Sequence, residues 1–238
     1  MWRPPLPDAM IERGLSIVTT AAASRLFAII LAVDATLIVI HIYVVSWTYH
    51  WDTTWTKIDQ EDSISEAWEN LKLILSGMAL LLSAAVTRRV AMLPLALGLL
   101  YLAVDNHFAI HERIGARMND RPLLGEIVFS AALALTLGAI AALSAYFSSQ
   151  RERGAVLAIV VCLTLFGGFA VGADAVHYIF HESPLLNQPL TVVEDGGELL
   201  AISVLTAICV VIVRQDLARR PVRAQARVTI IREEELAP

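Results

Sequence analysis

Charge is what this sequence has least of. Only 17% of its 238 residues are Asp, Glu, Lys or Arg, against about 25% in an average soluble domain. That scarcity excludes an ordinary water-soluble globule. Cysteine is nearly missing too. Cys162 and Cys209 both fall inside apolar runs, so a disulfide framework is excluded and each reads as a small packing residue. The net charge of -5 is divided loop by loop, which gives no reason to expect a nucleic-acid partner. The first apolar run is too long for the h-region of a cleavable signal peptide and lacks a small-residue exit.

Apolar residues are plentiful, at 57%. A membrane-crossing helix needs about 20 mostly apolar residues. Six segments qualify: 26–48, 66–87, 90–112, 124–147, 155–181 and 197–213. The turn Thr87-Arg88-Arg89 joins the second to the third, and Pro94 falls in the first turn of the third, where proline is tolerated. The expected fold is an all-α integral membrane protein, with about six transmembrane helices in one bundle. Residues 1–24 form an N-terminal segment, 25–213 the transmembrane domain and 214–238 an Arg-rich tail.

Orientation follows the distribution of Lys and Arg. Thirteen basic residues fall on the side of the termini, the 88–89 turn and the 151–153 loop, and four on the other side. The basic side is expected to be cytoplasmic, with both termini there, in a cell inner membrane. All six histidines then lie in the outer half. His41 and His50 leave the first span, His107 and His111 the third, and His177 and His181 the fifth. The outer ends of the even spans are acidic, with Glu66 and Glu69, Glu126, and Glu194, Asp195 and Glu198. Trp47, Tyr49, Trp51, Trp55 and Trp68 gather at the same level and read as an aromatic belt.

Two stretches repeat one arrangement: His107-x3-His111-Glu112 and His177-x3-His181-Glu182, with Asp105 and Asp174 just upstream. On an uninterrupted helix, residues four apart share a face. His107 and His111 are expected on one face of the third span. At about 100° per residue, Asp174, His177 and His181 form one stripe on the fifth. Glu66, Glu69 and Asn70 share a face of the second span, and Glu194 and Glu198 a face of the sixth. Bundles build carboxylate–histidine metal sites from such inward-facing residues. The donor set suits a divalent transition metal, Zn or Fe first, and the lack of nearby cysteine argues against a thiolate site. The blander alternatives are wetted interfacial side chains, carboxylates placed against helix dipoles, or a hydrogen-bonded network without metal. Asp34, near mid-span, is expected to be protonated or paired, or to relay protons towards His41 on the same face. Gly167, Gly168 and Gly172 are expected to permit close helix contact.

Leu102-Ala103-Val104-Asp105, followed by His111-Glu112, resembles a segment of uncharacterised bacterial multi-pass membrane proteins. Glu66-Ala67-Trp68-Glu69-Asn70 at the start of a span, with the late His177-x3-His181, resembles the alkaline ceramidase-like superfamily of membrane metallohydrolases. That second resemblance would imply a zinc hydrolase acting on lipid amides with seven spans, where six are read here. It would also imply a Ser-x3-His segment, whereas the residue four before His111 is His107 and that four before His107 is Ala103.

The leading expectation is a metal-dependent membrane enzyme, either a hydrolase or a di-iron oxidase, acting on a lipid or other amphipathic substrate. His107, His111, His177, His181, Asp105, Asp174, Glu66, Glu69, Glu194 and Glu198 would supply metal ligands, and Glu112 or Glu182 the general base. The alternatives are a structural or accessory subunit stapled by metal or haem, and a carrier of metal ions or protons. Membrane lipids are the expected partners.

Overall fold

The structure, a computed structural model, describes residues 7–47, 56–58, 63–118, 122–173, 176, 179, 180, 183 and 185–218. Every regular element among them is helical. Six helices are long and apolar enough to cross a membrane: Arg25–Val45, Ile64–Thr87, Val90–His107, Val128–Phe147, Glu152–Ala173 and Asn187–Ala218. The chain is an all-α multi-pass membrane bundle.

Helix α1 (Pro7–Ala22) precedes the first span. It is amphipathic, with Gly14, Ile17 and Ala21 buried at helical spacing on one face. That face packs on two later helices, so residues 7–22 are part of the bundle and contribute to its core. Ser24 then caps the next helix, its Oγ accepting the Phe27 amide at 3.1 Å. Helix α2 (Arg25–Trp47) turns most of its surface outward and buries Ile30, Asp34 and His41 along one stripe. Its outward apolar side chains suit a lipid surround.

Helix α3 (Ile64–Thr87) starts at Ser63, whose Oγ accepts the Glu66 amide. It ends at Arg88, which takes left-handed backbone angles (φ 57°, ψ 35°). A short 3-10 turn, Val90–Met92, leads into helix α4 (Leu93–His107), with Pro94 in its first turn as expected. Helices α3 and α4 approach closely at Gly77. A Cβ there would stand 2.7 Å from Leu100 and 3.1 Å from the Ala96 carbonyl oxygen.

The third span ends five residues earlier than its hydropathy predicts. Helix α4 stops at His107, Ala109 adopts φ 44°, and a separate amphipathic helix, α5 (Ile110–Met118), follows. Arg113 and Arg117, expected in a loop, are exposed on α5, which packs along helix α6 (Pro122–Phe147). Helix α7 (Gln150–Gly167) passes into a π-helical stretch, Gly168–Ala173. Among the described residues, nothing lies within 4 Å of where a Cβ on Gly167, Gly168 or Gly172 would sit, so they do not make there the close helix contact expected of them. Phe169 instead lies against Gly197, in the place a Cβ there would take.

Helix α8 (Asn187–Ala218) is the axis of the fold. It is the most buried of the six spans and contacts α1, α2, α3, α7 and the π-helical stretch. Leu199, Ile202, Leu205 and Ile208 are sealed along it. It continues to Ala218, five residues past the predicted end of the span, which makes the start of the Arg-rich tail helical. Its last turns carry Asp216, 3% exposed. Asp216 Oδ2 accepts from Ser83 Oγ at 2.6 Å and from Arg89 Nη1 at 2.9 Å. Arg89 Nε reaches Glu152 at 2.7 Å. One guanidinium thus ties the α3–α4 turn to the start of α7 and the end of α8.

Gly77→Leu should force Leu100 and the α4 backbone away from α3. Overpacking of this kind costs about 1–3 kcal/mol. Denaturation of the detergent-purified protein should show that loss. A variant as stable as the parent would mean that the two helices separate freely.

Candidate functional site

Two polar clusters lie towards the end of the bundle that carries the histidines. The deeper one is built on Asp34 of α2 and Lys72 of α3, whose side chains are 0% and 1% exposed. Lys72 Nζ stands 3.1 Å from Asp34 Oδ1, 2.8 Å from the Leu199 carbonyl oxygen and 3.0 Å from Ser203 Oγ. Those three acceptors use all three ammonium protons. Asp34 Oδ1 also accepts from Trp68 Nε1 at 2.8 Å, and Asp34 Oδ2 from Ser203 Oγ at 2.5 Å. The network is closed, as a charge pair withdrawn from water must be. It also corrects the reading of Trp68, whose indole N–H turns inward to the carboxylate. Directly below, Ser76 Oγ, Thr206 Oγ1 and the Lys72 carbonyl oxygen continue the hydrogen bonding between α3 and α8.

A serine between a lysine and a carboxylate has the elements of an activated nucleophile. Here Ser203, Lys72 and Asp34 are all sealed, and neither groove described below is lined by them. The arrangement joins α2, α3 and α8. His41, on the same face of α2, accepts the Ile58 amide at Nδ1, 3.2 Å away. None of the hydrogen bonds that hold Asp34 runs to it, so a direct Asp34–His41 relay is not formed.

The second cluster sits at the α4–α5 break. His107 and His111 do not share a helix face, because the helix ends between them. Ala109 in the left-handed region costs about 1–2 kcal/mol for a residue with a Cβ. The reversal brings His111 Nδ1 to 3.0 Å from Asp105 Oδ2. Asp105 is 4% exposed, and its Oδ1 is buried with no hydrogen-bond partner among the described residues. His107 is exposed, its ring edge-on to Phe108. One residue past Asp105, Asn106 donates to Asn70 Oδ1 at 3.2 Å, while Asn70 Nδ2 donates to Glu66 Oε1 at 3.5 Å. The Asn106–Asn70 bond thus ties α4 to α3 beside Glu66 and Glu69.

Glu194 and Glu198 are half-buried on α8, each with a polar contact of its own. Glu112 lies in the first turn of α5. Asp174, His177, His181 and Glu182 fall outside the described residues, as do His50 and the belt residues Tyr49, Trp51 and Trp55. Among the described residues, no three His, Cys, Asp or Glu side chains gather closely enough to hold a metal ion. A metal at Asp105–His111 would need further ligands from residues 174–182 or from Glu112.

Between α3 and α4, just below His107, runs a groove of about 520 Å³. Leu71, Ile74, Leu100, Val104 and Phe108 line it, with Asn70 and His107 as its polar members. Its size falls within the range of small-molecule sites.

A family model matches residues 20–213 and carries the description Domain of unknown function (DUF8692). The chain belongs to that family. No curated protein matches it, and no solved structure does. The family match takes in both polar clusters and the groove, and ends before Asp216.

Sequence reasoning flagged Asp34 and passed over Lys72 and Ser203. The signal was present: Lys72 is the opposite charge within a neighbouring span, and two such charges in a bilayer interior are expected to find each other. Removing one partner should leave a buried, uncompensated charge. Asp34→Leu or Lys72→Met alone should cost about 3–5 kcal/mol, and the double variant should recover most of it. Equilibrium unfolding in detergent reads both values. A double variant no better than the single ones would show that the pair is not coupled.

Proposed function

We propose that the protein is a metal-dependent membrane protein whose site sits at the histidine end of the bundle, facing out of a cell inner membrane. Its substrate is a lipid or another amphipathic molecule. The observation that carries this reading is the Asp105–His111 contact at 3.0 Å across a strained helix break. A metal-ligating imidazole commonly gives its other ring N–H to a carboxylate, which fixes the tautomer and raises its basicity. Asp105 bonded to Nδ1 leaves Nε2 as the metal-binding nitrogen of His111. Glu112, and His177 and His181 from the late segment, are the proposed remaining ligands, with Glu182 or Glu112 as general base. Zn would lower the pKa of a bound water for hydrolysis. Two Fe ions with bridging carboxylates would support oxidation instead.

The groove below His107 supports the substrate class. It is apolar along its length and polar at the end nearest the cluster, the profile of a channel for an acyl or isoprenoid chain with its head at the metal. The second reading, a non-catalytic accessory subunit, draws on the sealed Asp34–Lys72 network, which joins helices and meets no substrate.

Metal analysis of purified protein tests the proposal. The wild type should hold one or two equivalents of Zn or Fe. Asp105→Asn should weaken binding about 10–100-fold, and His111→Ala should abolish it in a protein that stays folded. Substoichiometric metal in the wild type, insensitive to either change, would sink the metal reading and leave a hydrogen-bonded pair.

A further inference from the structure

At the opposite, basic end of the bundle a second groove of about 540 Å³ opens between the α3–α4 turn and the last turns of α6. Its apolar lining is formed by Val90 and Pro94 on one side and Leu143 and Phe147 on the other. Val90 and Phe147 are both exposed. Its polar members include Arg88, Arg89, Ser144, Ser149 and Glu152. The two arginines differ in their pairing. Arg89 is shared by Glu152 and Asp216. Arg88 is exposed and has no ion pair among the described residues, and both carboxylates nearest it are held by Arg89. Ser144 supplies an independent sign of a ligand. It is 2% exposed and lines the groove, yet its Oγ is buried without a hydrogen-bond partner among the described residues. Buried hydroxyls are seldom left so.

We infer that this groove binds an anionic phospholipid, with its phosphate between Arg88 and the Ser144 hydroxyl and an acyl chain along Val90, Pro94, Leu143 and Phe147. Two features select a lipid: Arg88 lies at the end of a span, and the groove that it borders is also lined by exposed apolar side chains. Basic pockets between helices at a membrane surface take phosphate head groups in this way. Free phosphate would use the polar members and leave the apolar lining empty. The site lies at the other end of the bundle from the Asp105–His111 cluster and does not depend on it.

Native mass spectrometry of the full-length protein in detergent, with added phosphatidylglycerol or phosphatidylcholine of matched chains, tests the site. Wild type should retain phosphatidylglycerol at least about fivefold better, the contribution of one basic residue at a membrane surface. Arg88→Gln should lose that preference and Arg88→Lys should keep it. Arg113→Gln, an exposed arginine on α5, should leave it unchanged. Ser144→Ala should reduce retention without removing the preference. Equal retention of the two lipids by wild type, or a preference that survives Arg88→Gln, overturns the site. Displacement of phosphatidylglycerol by millimolar inorganic phosphate overturns the lipid assignment in favour of a free-anion site.

Discussion

The buried pair of Asp34 and Lys72 is the constraint on which the rest of the bundle depends. Neither charge reaches solvent, and isolated charges in such a place are costly. The two must meet, and α2, α3 and α8 must meet with them, because Ser203 and the Leu199 carbonyl complete the coordination of Lys72. Apolar packing alone tolerates a helix sliding or turning by a small step. A five-residue hydrogen-bonded centre does not, so it fixes the register of three helices at once. Trp68 is drawn inward by the same need, and the hydroxyls of Ser76 and Thr206 extend the register down α3 and α8. At the far end of these helices Arg89 repeats the device with Asp216 and Glu152.

Against that frame the Asp105–His111 cluster is of another kind. The Asp34 network is satisfied within itself and sealed. Asp105 has a buried oxygen with no hydrogen-bond partner among the described residues, and the chain holds an alanine in the left-handed region beside the pair. Local strain and unfilled hydrogen-bonding capacity are features found together where a site awaits a ligand. The groove lined by His107 adds open, mostly apolar space at this end of α3 and α4. The division of polar groups between a closed structural centre and an open one carries the functional proposal.

Much of this fold is legible in hydropathy, because a bilayer demands long apolar runs and rewards them with helices. All six spans were readable, as was Pro94 at a helix start. Asp34 stood out as a buried acid. The break at Ala109 was not readable. His107-Phe108-Ala109-Ile110 contains neither glycine nor proline, and an apolar run through them looks like uninterrupted helix. The helical spacing that put His107 and His111 on one face failed for that reason, although Asp105 and His111 did come together. The glycines of 167–172 looked like contact residues because small side chains permit close approach, but permission is not contact; Gly77 and Gly197 take that role. Trp68 has the composition of a belt residue, and only the position of Asp34 decides that its N–H points inward. Helix α1 escaped notice because a short amphipathic stripe does not announce whether it packs on protein or on a membrane surface.

The central claim is that His111, oriented by Asp105, ligates a transition metal through Nε2. Metal K-edge X-ray absorption on the purified full-length protein reads this most directly. The account predicts a first shell of nitrogen and oxygen donors at about 2.0–2.2 Å, with the outer-shell scattering of coordinated imidazole, and loss of an imidazole contribution in His111→Ala. A metal spectrum without imidazole scattering, or one identical in wild type and His111→Ala, would contradict it.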